Sequence, residues 1–188
     1  MNRMKQASID IARFGRRLGT RSEGAAARRE IQAELDRLPP GGQLVLSLYG
    51  VDVLSGSFAD EAIGKTSQLL TSGAYGDRTM IVTSPSDDLA EDLSDKLAQR
   101  KLAVLCHVGE DKARWRVLGQ LAGPLVETLH LLMDRKTATT KELAEILGIA
   151  PNVCHNRIRR LVQLRLVREE RMETSAPNTQ YRFHSIAK

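Results

Sequence analysis

The sequence predicts an α/β unit with a mostly parallel sheet, followed by a smaller α+β unit, and three observations carry that expectation. Short β-like apolar runs alternate with helical ones from about residue 8 to residue 106. After Gly109-Glu110-Asp111-Lys112 the rhythm changes to successive helices and a terminal hairpin. Charge divides at the same place: residues 1–112 hold 15 Lys and Arg against 16 Asp and Glu, a net −1, while residues 113–188 hold 13 against 7, a net +6.

The elements follow in order. Ser8 to Phe14 is β-like, with Ile9, Ile11 and Arg13 on one side. Thr20 and Glu23 have the spacing of a capping box, and Ala26, Ile31, Leu35 and Leu38 fall near one face of the helix they open. Pro39-Pro40-Gly41-Gly42 stops that helix, and Leu44 to Leu48 reads as a buried strand. Ser57 to Leu70, Thr79 to Thr83, Asp87 to Arg100 and Leu102 to Cys106 then read as helix, strand, helix and strand. Beyond the boundary, Trp115, Leu118 and Leu121 are expected to form a short amphipathic connector helix. Gly123-Pro124 interrupts it, and Leu125, Val126, Leu129 and Leu132 restart the helical period. The expected organisation is an α/β domain over 1–108, a linker and connector over 109–123, and a third segment over 124–188.

An apolar content of 41% in 188 residues is enough for two real cores. The longest apolar stretches fall far short of the roughly 18 residues that cross a bilayer, and the first ten residues lack an apolar signal core, so a cytoplasmic location with no membrane partner is expected. Two isolated cysteines, Cys106 and Cys154, suit neither a disulfide framework nor a zinc site.

Within 124–188, Thr139-Thr140-Lys141-Glu142 offers a capped helix start, and Leu143, Ala144 and Leu147 line its inner face before Gly148 turns the chain. The next helix opens on Pro151 and packs through Cys154, Ile158, Leu161 and Val162 or Leu164. Subtracting those positions leaves Asn152, His155, Asn156, Arg159 and Arg160 pointing outward. Asn can pair bidentately with adenine and Arg with guanine, and a helix N-terminus favours a phosphate. Leu166 to Met172 and Thr179 to His184 flank Ser175-Ala-Pro-Asn178 as two strands and a turn, with Arg182 on the second strand. The run from Lys141 to Arg168 resembles winged helix-turn-helix regulators of the MarR and ArsR type, over about residues 124–185. Those families usually carry Gly where Arg165 stands, before the Leu-Val pair that opens the wing. The resemblance implies double-stranded DNA as partner, contacted by Lys141, Pro151, Asn152, His155, Asn156, Arg159, Arg160 and Arg182. One such helix reads only a few base pairs, so a homodimer with its two helices about 34 to 36 Å apart is expected.

Leu44 to Glu61, with Phe14-Gly15 and Arg21-Ser-Glu-Gly24 upstream, resembles STAS-like domains, relatives of the anti-sigma-factor antagonists. The likeness spans about residues 7–106 and implies a switchable module that binds a regulatory protein. In the antagonists a serine at the corresponding elbow is phosphorylated, which points to Ser55 and Ser57 here. The acidic residue that precedes it in that family is absent, and Ser57 also fits as an ordinary helix N-cap.

Other signals fall away. Gly64-Lys65-Thr66 mimics the end of a phosphate loop, but Ala59 stands where its first glycine is required. Cys106 and His107 are neighbours on a strand and point to opposite faces. Asp87, Asp88, Glu91, Asp92 and Asp95 read as helix-start acids, not metal ligands. With no nucleophile, base or cofactor loop, no enzyme activity, metal or cofactor is expected. The leading reading is a DNA-binding transcriptional regulator, a repressor, with the STAS-like module dimerising or receiving a signal. The alternative is a partner-switching protein whose winged helix binds protein, not DNA.

Overall fold

The computed structural model describes residues 5–111, 114–172 and 180–187. The chain divides into two compact units, Met1–Leu121 and Ala122–Lys188.

The first unit runs β1 (Gln6–Asp10), a 3-10 turn (Ile11–Phe14), β2 (Arg17–Leu18), α1 (Arg21–Arg37), β3 (Gln43–Ser47), β4 (Val53–Leu54), α2 (Gly56–Ala59), a π turn (Asp60–Gly64), α3 (Lys65–Thr71), β5 (Thr79–Ser84), α4 (Asp87–Gln99), β6 (Ala103–Val108) and β7 (Trp115–Gly119). Its main sheet has the order β1-β3-β5-β6-β7; the first four strands are parallel and β7 is antiparallel to β6. Each helical crossover steps to the next place in the same direction. The right-handed rule for such crossovers puts α1, α2 with α3, and α4 on one face. One apolar core joins that face to the sheet: Ile31 and Leu35 from α1, Phe58 and Ile63 from the α2 region and Leu93 and Leu97 from α4 meet Leu44, Leu46, Val82 and Cys106.

Local chemistry explains the helix starts. Thr20 and Glu23 close the expected capping box on α1, and Ser86 caps α4, where Asp87 and Asp88 complement the helix dipole. The α1 face is centred on Ala27, not Ala26, which is only partly buried. The α2 region bends through the π turn, which buries Glu61 between Lys65 at 2.6 Å and Arg28 at 3.2 Å.

The segment after β6 corrects the sequence reading. Trp115–Gly119 is a strand, not a connector helix, and 109–123 is not a linker: Gly109 to Asp111 belong to the turn between β6 and β7, of which Lys112 lies outside the described residues. Leu118 enters the core, Trp115 meets His107 edge-on at 5.3 Å, and Arg116 pairs with Asp87 at 2.6 Å. Gly119 permits the close approach at the strand's end: at φ +90°, a Cβ there would lie 2.1 Å from the Leu102 carbonyl oxygen. With Arg114 and Arg116 in the first unit, the net charges become +1 for residues 1–121 and +4 for residues 122–188.

The second unit runs α5 (Gly123–Arg135), β8 (Thr137–Thr139), α6 (Thr140–Leu147), α7 (Pro151–Gln163), β9 (Val167–Met172) and β10 (Gln180–Ser185). Its antiparallel sheet has the order β8-β10-β9. Leu129, Leu132, Leu143, Cys154, Ile158, Leu161, Val167 and Phe183 are buried. Thr139 and Glu142 form a capping box on α6, and Gly148 ends it in the left-handed conformation, φ +63°. Arg165 turns the chain from α7 to β9 at φ +62°, which accounts for the glycine usual at this place in the MarR and ArsR type. The expected turn Ser175 to Asn178, and Thr179, lie outside the described residues.

Candidate nucleic-acid interface

The α7 helix presents two faces with different chemistry. Cys154, Ile158, Leu161 and Val162 bury one of them, whereas Pro151, Asn152, His155, Asn156, Arg159, Arg160 and Gln163 lie exposed on the other. Pro151 occupies the first turn of α7, where its missing N–H costs nothing. Burial holds the Cys154 thiol above its ordinary pKa, so that cysteine packs the helix and is not a thiolate.

The predicted contact residues differ in how firmly they are held. Asn152 accepts the Val153 N–H at 2.9 Å through Oδ1. Asn156 lies about one turn along from Asn152, on the middle of the exposed face. Arg160 donates to Gln163 Oε1 of its own helix at 2.6 Å, while Arg159 forms an ion pair with Glu169 on β9. Lys141 stands on the first turn of α6, with Nζ 3.9 Å from Glu145 and its side chain 85% exposed. Arg182 lies mid-strand in β10, opposite Thr139 on one side and Glu170 on the other, and is only partly exposed. Asn156, Arg159, Arg160, Val162, Gln163, Arg165 and Glu169 line one open groove of about 560 Å³.

Apart from Val162, which the sequence placed in the packing of α7, three of those groove residues were not expected as contacts. Gln163 follows Asn156 by seven positions, so the helical period alone would have placed it on the same face. Arg165 could have been found as a cation where the MarR and ArsR type carries its turn glycine. Glu169 had no such signal, because its place depends on the pairing register of β9.

A family model described as winged helix-turn-helix DNA-binding matches residues 127–168, from within α5 to the start of β9. The C-terminal unit is a winged helix-turn-helix. No curated protein and no solved structure matches the chain.

In the α/β unit, Ser55 rather than Ser57 caps α2: its Oγ accepts the Phe58 N–H at 3.2 Å and donates to the Gly19 carbonyl at 2.7 Å. Ser57 follows on the first turn, exposed. Cys106 is buried on the helix-covered face, its thiol pKa pushed up to about 12 by desolvation, so it supplies no nucleophile at neutral pH. Among the described residues no helix is long and apolar enough to cross a membrane.

Proposed function

We propose that this protein is a DNA-binding transcriptional regulator, a repressor, whose winged unit binds double-stranded DNA as a homodimer. The observation that carries the reading is the exposed face of α7. Asn152, Asn156, Arg159 and Arg160 project from a helix whose other side is fixed in a core, within a unit that matches a DNA-binding family. A helix so held can enter the major groove as a rigid element, with the Asn152 and Asn156 amides and the Arg159 guanidinium reaching base edges and Arg160 lying toward the backbone. Lys141, His155, Arg160 and Arg182 are assigned to the phosphate backbone, and the net +4 of residues 122–188 supports that assignment.

The α/β unit is read as the STAS-like module that dimerises or receives the signal from a regulatory protein. Its parallel sheet, its helix after the Leu44 strand and its capped serine elbow are consistent with that role. Of the two candidate serines, Ser57 is the one whose modification leaves the helix cap intact.

The test is a mobility-shift titration of the full chain on the DNA upstream of its own gene and on random duplex at matched salt. Preferential binding to the upstream fragment, with reduced transcription from it in a purified system, supports the repressor. Equal and weak binding to both transfers the winged unit to protein partners, the partner-switching alternative.

A further inference from the structure

We propose that Glu169 on β9 is a specificity-determining residue, which acts by holding the Arg159 guanidinium in position to read a guanine. The inference rests on the DNA-binding reading of α7 and names a residue outside the recognition helix.

Among the outward-facing cations of α7, Arg160 donates to its own helix, whereas Arg159 is tied to the wing sheet. The anchor is firm. Glu169 lies directly opposite Phe183 in the β9–β10 register, and Phe183 is 1% exposed in the core. Residues directly opposite each other share a face of a sheet, so Glu169 leaves the strand on its inner side, toward α7, and is 31% exposed there. Arg159 remains 47% exposed, with Nη1 on Glu169 Oε2 and the Nε–Nη2 edge of the fork carrying no hydrogen bond among the described residues. That edge is the one that could meet guanine O6 and N7. Both residues line the open groove together with Asn156 and Gln163, so a base edge entering it meets an amide and a fixed fork together.

The carboxylate has a cost. A negative charge beside a phosphate-binding face weakens binding to every sequence, and it neutralises one cation that could otherwise follow the backbone. Glu169 therefore trades general affinity for discrimination: a free Arg159 would swing to the nearest phosphate, whereas a held one is useful only where guanine lies opposite.

The experiment selects sites from a random-sequence duplex pool with the wild-type full chain. It then measures binding of wild type, E169Q, R159A and the double variant to the selected site and to random duplex, over a salt series, with folding checked by circular dichroism. E169Q is expected to bind random duplex about threefold more tightly, with a steeper salt dependence, and to lose about threefold or more in discrimination. R159A should lose about tenfold in discrimination, and the double variant should lose no more than R159A alone. If E169Q strengthens binding to selected and random DNA equally, Glu169 is only a repelling charge and the proposal is overturned. Additive losses in the double variant overturn it as well. If the wild type enriches no sequence at all, the DNA-binding reading fails with it; enrichment with unchanged discrimination by E169Q removes the Glu169 assignment alone.

Discussion

The Ser55 hydroxyl joins the start of α2 to Gly19, 36 residues earlier, donating to the Gly19 carbonyl at 2.7 Å while accepting the Phe58 N–H at 3.2 Å. The parallel pairing of Arg17–Leu18 with Val53–Leu54 brings the two segments together, and Ser55 secures the junction where the chain turns into the helix. Ser55→Ala removes a helix cap and leaves the exposed Gly19 carbonyl to water, and should cost about 1 kcal/mol in chemical denaturation. Ser57→Ala, on an exposed first-turn position, should stay within about 0.5 kcal/mol. Equal losses at the two positions would refute the assignment of Ser55 as the cap.

Gly119 gives a sharper test of the fifth strand. A Cβ there would meet the Leu102 carbonyl oxygen at 2.1 Å and Leu97 Cβ at 2.9 Å, and φ +90° is unfavourable for any L side chain. Backbone does not yield as a flexible side chain would, so Gly119→Ala should destabilise the α/β unit by about 3 kcal/mol or more. Gly123, where an added Cβ meets nothing within 4 Å, should accept Ala with little change. If residues 115–119 were a connector helix, the order of the two variants would be lost, and Gly119→Ala would be harmless or stabilising.

Acid stability should depend in part on Asp60. Hydrogen bonds from the Arg100 side chain, one of them 3.0 Å from Nη2 to Oδ2, hold its carboxyl below the usual range. A depressed folded-state value means that the stabilisation is complete above the ordinary carboxylate pKa and fades as the pH falls through the lowered one. The pair is partly exposed, so Asp60→Asn should cost only about 1 kcal/mol at neutral pH. Melting temperatures of wild type and variant should converge as the pH falls below about 4. A gap that stays constant to pH 2 would show that the acid contributes by packing and not by charge.

Local rules were legible in the sequence, and long-range pairing was not. The capping boxes at Thr20 and Thr139, Pro151 in the first turn of α7 and Gly148 beyond α6 are signals carried by neighbouring residues, and each is found in place. The segment from Trp115 to Gly119 was misleading because Trp115, Leu118 and Leu121 fit a helical spacing over too short a run for the period to decide. What decides there is non-local: pairing with β6, the Asp87 partner of Arg116 and the small residue demanded by Leu102. Thr137–Thr139 was missed for the same reason, since three residues form a strand only because β10 runs beside them. In the interface, the exposed face of α7 followed from its period, whereas the hold of Glu169 on Arg159 needed the wing's register. Arg165 is intermediate. Its departure from the glycine usual in the MarR and ArsR type was visible, and the left-handed backbone at that position is one that glycine adopts most readily.

Removing an outward-facing amide and removing an outward-facing cation should have different effects on DNA binding. Asn156 lies mid-face on α7 and lines the groove, and an amide there is suited to a base edge, where it can pair with adenine. Asn156→Ala should therefore lose about 1 to 3 kcal/mol on a selected site and almost nothing on random duplex. Lys141, 85% exposed on α6, and Arg160, whose hydrogen-bond partner among the described residues is Gln163 of its own helix, are the cations that the proposed reading assigns to phosphates. Lys141→Ala and Arg160→Ala should weaken all sequences by similar factors, and each should lower the salt slope by about one. Competition binding at several salt concentrations separates the two kinds of loss, because a base contact changes the ratio between sites and a phosphate contact changes the slope. An Asn156→Ala variant that weakens selected and random DNA alike would place this helix along the backbone. Variants at all three positions that bind as the folded wild type does would remove α7 from the DNA altogether.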